Sequence, residues 1–248
     1  MRKLWILVVA AAIFGGMALF EIYVSLLYPV TSYVPKGLPT LAVGVEHGYD
    51  FFKDGELVGS YVFWVERIAP YKGQTAYFTR STTSVAYHET VIELETVYIF
   101  NENLNPLKYR LNATLSDDRQ SIICLFEGWT VNTSLKMEEG GMEKVLEFPV
   151  NTVLVDNNML GQWELLFKSF DLIPGKRVRV NIFIPQALDM RSMDLVVDRG
   201  KKTLKLNDIA FECQVVRAPD LNLFFYIHEG DLLKLEESVQ NISILRSP

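Results

Sequence analysis

The chain has 248 residues, a formal net charge of -6, 3 histidines and 2 cysteines. An acidic balance with no long basic stripe excludes nucleic acid as a natural partner, because phosphate neutralisation supplies most of that affinity. Two cysteines exclude the small disulfide-dense scaffolds and any four-thiolate zinc site.

Arg2 and Lys3 open the chain, and no charged residue follows from Leu4 to Phe20. Apolar character resumes after Glu21, so a helix from about Leu4 to about Leu27 has the length to cross ~30 Å of hydrocarbon at ~1.5 Å per residue. Basic residues ahead of the run and none directly behind it place the N-terminus in the cytoplasm and the remainder outside. The same start also fits a cleaved signal peptide, with Gly16 and Ala18 as the small residues before the cut. Residues 1–28 are therefore expected to be a transmembrane anchor or a signal peptide. Both readings make the rest extracytoplasmic, either as a periplasmic or cell-surface domain on a membrane tether or, after cleavage, as a secreted one. Pro29, Pro35, Gly37 and Pro39 mark residues 29–39 as a semi-stiff stalk, and residues 40–248 as the exported β domain.

Within that domain the dominant signal is alternation with period two. Leu107, Tyr109, Leu111, Ala113 and Leu115 stand against Lys108, Arg110, Asn112 and Thr114. Trp129, Val131, Thr133, Leu135 and Met137 predict a second such strand, and Ile92, Leu94, Tyr98 and Phe100 a third, with Glu93 and Glu95 on its wet face. Val178, Val180, Ile182 and Ile184 form another, as do Ile209, Phe211, Cys213 and Val215. Turn residues such as Asp54-Gly55, Gly140-Gly141, Arg199-Gly200 and Glu229-Gly230 separate the runs, which predicts about ten antiparallel strands.

One segment has helical spacing. Asp156, Asn157 and Asn158 are good N-cap types, and Met159, Trp163, Leu166, Phe167 and Phe170 recur on one face before Pro174-Gly175 ends the run. The expected fold class is thus mainly β, a curved antiparallel sheet or incomplete barrel whose apolar face is covered by one central amphipathic helix. Cys124 and Cys213 each sit in an apolar strand pattern, and form either a disulfide between strands or a pair of buried thiols.

This order of features, an exported start, a long meander, a central helix and a further meander, resembles the LolA-like family of periplasmic half-barrel carriers of lipids and lipoproteins. The resemblance is architectural and spans most of the chain, without a diagnostic motif. It implies an apolar ligand and a role in transport or presentation. The chain has fewer evident helices than those carriers.

Catalytic patterns are missing. There is no G-x-S-x-G elbow, no phosphate-binding P-loop and no G-x-G-x-x-G fingerprint. His47, His88 and His228 are too far apart for a local metal pair and read as strand or turn residues, so no metal or cofactor is expected. Glu93 with Glu95, and Asp189, Asp194 and Asp198, read as solvated strand faces. The expected function is a non-catalytic extracytoplasmic binding module for a lipid or other apolar ligand, with Tyr109, Trp129, Trp163 and Phe167 as the ligand-contacting residues. The alternative is an accessory ectodomain that docks on a membrane or cell-surface complex, and a hydrolase of envelope polymers ranks third.

Overall fold

The computed structural model describes residues 30–87, 90–116, 118–138, 140–156 and 160–247. The expected anchor or signal peptide, residues 1–28, lies outside the described residues, as do His88, Asn157, Asn158 and Met159. Among the described residues no helix is long and apolar enough to cross a membrane.

The described residues begin with the short β1 (Val30–Ser32) and then run through a meander of β2 (Glu46–Lys53), β3 (Glu56–Tyr71), β4 (Gln74–Tyr87), β5 (Thr90–Asn101), β6 (Pro106–Leu115), β7 (Asp118–Glu127), β8 (Thr130–Met137) and β9 (Gly140–Glu147). A short β10 (Thr152–Leu154) leads to the helix α1 (Leu160–Lys168). A second meander follows, of β11 (Arg177–Ile184), β12 (Asp189–Leu206), β13 (Ile209–Ala218), β14 (Leu223–His228), β15 (Asp231–Glu237) and β16 (Ile242–Arg246). Among the described residues all strands belong to one 16-stranded sheet, more than the ten or so expected. Three-residue strands such as β1 and β10 are too short to show any alternation, which is why the sequence hides them.

The two meanders are joined by β16, which pairs antiparallel with β2 from Ile242 opposite Lys53 to Arg246 opposite Tyr49. At one end of the sheet β11 accepts both β1 and β10 in parallel along its outer edge. At the other end stands β9. Hydrogen bonding does not close the sheet into a barrel. Side chains approach across the gap instead: the Phe126 ring of β7 lies edge-on to Phe148 at 4.9 Å and to Phe183 of β11 at 6.0 Å. Mainly β with one helix is therefore the observed class, in the form of an incomplete barrel.

The described part of the expected stalk, residues 30–39, makes hydrogen bonds to the rest of the chain. The Tyr33 hydroxyl shares a 2.8 Å hydrogen bond with Ser169 Oγ, Lys36 N donates to Ser169 O at 2.8 Å, and Leu38 N donates to Glu102 O at 2.9 Å. Tyr33 N also donates to Arg179 O of β11 at 2.8 Å, which continues the pairing of β1 by one residue.

The alternation expected for β6 and β11 is borne out at Tyr109, Leu111, Ala113, Val178, Val180, Ile182 and Ile184, which share the main core, whereas a register shift at the start of β6 puts Leu107 into a smaller cluster with Ala76, Phe78 and Ile99. The helix differs from expectation. It was read as amphipathic, yet every residue from Leu160 to Phe167 is buried because the curved sheet encloses it. Trp163 and Phe167 pack on Phe225 with ring centroids 4.7 and 4.9 Å away. Gly161 sits so close to β3 that an added Cβ would lie 2.5 Å from the Phe63 ring. Only a glycine lets the helix approach that strand. Cys124 on β7 and Cys213 on β13 are both buried and free, on strands that are not neighbours, so the bridge weighed from sequence is not formed.

Candidate functional site

Burying a charged helix residue demands partners, and the enclosed face of α1 carries Glu164, whose side chain is 1% exposed. Four groups surround it, three of them from distant parts of the chain. The Tyr49 hydroxyl of β2 donates to Oε2 at 2.5 Å, and Arg246 Nη1 of β16 donates to the same oxygen at 3.1 Å. Lys168, one turn along α1, donates to Oε1 at 2.6 Å, and His47 Nδ1 lies 3.0 Å from that oxygen. Lys168 also reaches Asp231 at 2.7 Å, where β15 begins.

This arrangement shifts the titration of Glu164, Lys168 and Tyr49. Burial alone would raise the Glu164 carboxyl, but the His47 ring and the Lys168 ammonium outweigh it and hold the group at about 2, below the ordinary 4.5. Burial likewise opposes the charge on Lys168, but Glu164 and Asp231 override it and keep Lys168 above its ordinary value. Burial, then the Glu164 charge, push the Tyr49 hydroxyl well above its usual range.

The network forms one wall of a cleft of about 410 Å³. Leu41, Phe63, Val65, Leu165 and Phe167 supply its apolar surface, while His47, Glu164 and Lys168 supply its polar part. Segment 39–45 borders it, held to β3 by Gly44 N donating to Val65 O at 2.8 Å.

A second buried acid, Asp156, accepts hydrogen bonds from the Tyr109 hydroxyl and from Gln186, while its own amide donates to Gln162 Oε1 at 2.6 Å. It anchors the entry to α1 and borders no cleft described here. Among the described residues no three His, Cys, Asp or Glu side chains converge as metal ligands.

Of the four residues expected to contact a ligand, Phe167 borders this cleft. Tyr109 and Trp163 are core residues, packed and buried. Trp129 faces outward and is 68% exposed, because Gly128 and Trp129 form the turn before β8 and the strand's alternation begins only at Thr130. Glu93 and Glu95 lie on the wet face, as expected. Asp189, Asp194 and Asp198 are paired, with Arg191, with Arg177 and Arg179, and with Arg217 respectively. Glu164, His47, Tyr49, Lys168 and Arg246 were not anticipated. The one local signal was Glu164 and Lys168 four apart on a helix, a spacing more often found in water.

No family model matches the chain, and no curated relative does either. Solved structures share its outline. A β-barrel-like protein of the domain of unknown function DUF1849 from Brucella abortus aligns over 88% of this chain and 97% of its own, at 11% identity and a TM-score of 0.48. A DUF1089 family protein from Pseudomonas aeruginosa aligns over 69% and 87%, at 10% identity and a TM-score of 0.40. A Bacteroides fragilis protein with a YmcC-like fold, described as a candidate exported protein, aligns over 85% and 97%, at 7% identity and a TM-score of 0.33.

Proposed function

We propose that the chain is a non-catalytic binding module working outside the cytoplasm, and that the cleft beside α1 holds the apolar end of an amphiphilic ligand such as a lipid. The observation that carries the reading is the cleft itself, about 410 Å³ with an apolar wall of Leu41, Phe63, Val65, Leu165 and Phe167 next to a polar wall where Glu164 pairs with Lys168 and Glu229 is exposed. Such a size and mixture suit a small-molecule site. General acid–base work favours a group that titrates near the operating pH, whereas Glu164, Lys168 and Tyr49 are all shifted away from it. The Arg2-Lys3 start before a long apolar run supports an exported location and a membrane partner.

The barrel interior is filled by α1, Trp163 and Phe225, so the ligand is held at a rim cleft instead of being engulfed as in a half-barrel carrier. Each methylene buried contributes roughly 0.8 kcal/mol, so a short stretch of chain gives useful affinity before ordering costs are subtracted.

The test uses the chain from Val30 onward, which keeps β1. A fluorescent fatty acid titrated into it should bind, and Ala42→Trp, an exposed position on the cleft, should weaken binding about tenfold with the fold intact. A wild-type domain that binds no such probe removes this reading. Docking as an accessory ectodomain would then take its place, supported by the exposed Met137, Met142 and Val145 beside the unpaired edge of β9.

A further inference from the structure

A second concavity, unrelated to the Glu164 network, lies where the turns that follow β3, β5 and β7 gather on one rim with the segment Phe148–Asn151. Antiparallel hairpins put every second turn on the same rim, so residues 72–74, 101–105 and 127–129 come together although nothing in their spacing announces it. The cleft has a volume of about 530 Å³. Its floor is apolar, with Pro106, Leu107, Phe126 and Phe148 buried or nearly so. Its wall is different.

Trp129 stands on that wall with most of its indole in water, and among the described residues no ring or cation stacks on it. Its backbone is nevertheless fixed. Gly128 takes the left-handed φ of 61° that the turn requires, Thr130 Oγ1 donates to Glu127 O at 3.1 Å, and Phe148 N donates to Trp129 O at 2.6 Å. An exposed aromatic ring on a rigid turn is a poor core residue and a ready-made contact surface.

Amides surround it. Asn101 Oδ1 accepts from the backbone of Asn103 at 3.1 Å and of Asn105 at 3.0 Å, while its Nδ2 donates to Gln74 Oε1 at 2.9 Å. That chain of bonds holds the turn and orients Gln74. Gln74 Nε2 and the side chains of Asn105 and Asn151 have no protein partner among the described residues. Each of those amides can both donate and accept. The charged groups on the lining are Lys72 and Glu127, which pair with each other at 3.3 Å, so the cleft selects neither anions nor cations.

We infer that this cleft binds a neutral saccharide, with the indole of Trp129 as its stacking platform and the amides of Gln74, Asn105 and Asn151 reading the hydroxyls. A pyranose ring combines a C–H face that packs on an aromatic plane with equatorial hydroxyls that give and take hydrogen bonds in the ring plane, and the cleft offers the complement of both. The lining carries Pro149 and the exposed Val150 as well as Gln74, Asn105 and Asn151, and the unpartnered amides are what favour a hydroxyl-rich ligand over an apolar protein surface.

The full-length chain, held in a detergent without a sugar headgroup, is titrated with cellotetraose, maltotetraose and chitotetraose while tryptophan emission and heat are recorded. At least one oligomer should bind at millimolar concentration or below. Trp129→Ala should weaken it about tenfold or more and leave the unfolding temperature unchanged, since the ring is exposed, while Trp129→Phe should retain part of the affinity. Gln74→Ala and Asn105→Ala should each cause a smaller loss. If none of the oligomers binds, or binding survives Trp129→Ala, the proposal fails. It also fails if the wild type self-associates through this patch and Trp129→Ala abolishes that, which would make the ring a protein contact.

Discussion

Beside β3 and β15 the sheet has a helix to bury, and at β8 and β9 it has none. In the first region enclosure is so complete that even Glu164 is removed from water and needs four partners to stay ionised. In the second, Met142 and Val145 lie exposed and β9 carries Glu143, Lys144 and Glu147 along its length. A helix of nine residues is ~14 Å long, about the width of three strands set ~4.8 Å apart, so it cannot cover a sheet of sixteen. The cover goes where the large side chains are. The remainder either curls on itself, as at Phe126, Phe148 and Phe183, or is left wet and charged, which guards an open edge against pairing with other chains.

The contrast can be broken at its strongest point first. Trp163→Ala removes the ring that joins α1 to Phe225, and should destabilise the domain by about 3–5 kcal/mol in denaturant titrations. A loss under about 1 kcal/mol would mean that the helix is not what the sheet folds around. The acid test is next in size. Glu164 is held at about 2 against an ordinary 4.5, so its contribution is complete above the upper value and is lost as the pH falls through the window to about 2. Stability should therefore drop across that window in the wild type, while Glu164→Gln should be less stable at neutral pH and less sensitive to acid. Parallel pH curves for the two would contradict the buried network. At the uncovered end, Val145→Thr should change stability by no more than about 0.5 kcal/mol by the same titration, because its side chain is already in water. A larger loss would show that β9 is covered in solution.

What was legible in the sequence follows the same division. Alternation on β5, β6 and β11 was readable because one face of each is buried and the other solvated, which is what a period of two records. Trp129 misled because its phase matches Val131 and Thr133, yet the residue before it is a turn glycine and the strand begins one residue later. The helix was found from Trp163, Phe167 and Phe170, but its Glu164 face was read as wet, since helical spacing cannot tell a helix against a flat sheet from one inside a curved one. His47, Tyr49 and Arg246 gave no signal, because they meet Glu164 across separations of 82 residues or more.

The strand that joins the two meanders has a consequence for the order of folding. β16 lies between β15 and β2, so its few residues connect hydrogen-bonded ladders made from opposite halves of the chain. Arg246 on the same strand reaches Glu164 and Tyr49, so the buried charges also lack a partner until β16 is in place. Contacts that span so much of the sequence must pay their loop-closure entropy before they give any stability, which makes folding slow and late. A nascent chain lacking β16 carries two sheet edges without their partner and an acid missing one of its cations. It should stay loosely structured until synthesis has passed residue 246, and a chain in that state is the kind that can still be threaded through a narrow pore.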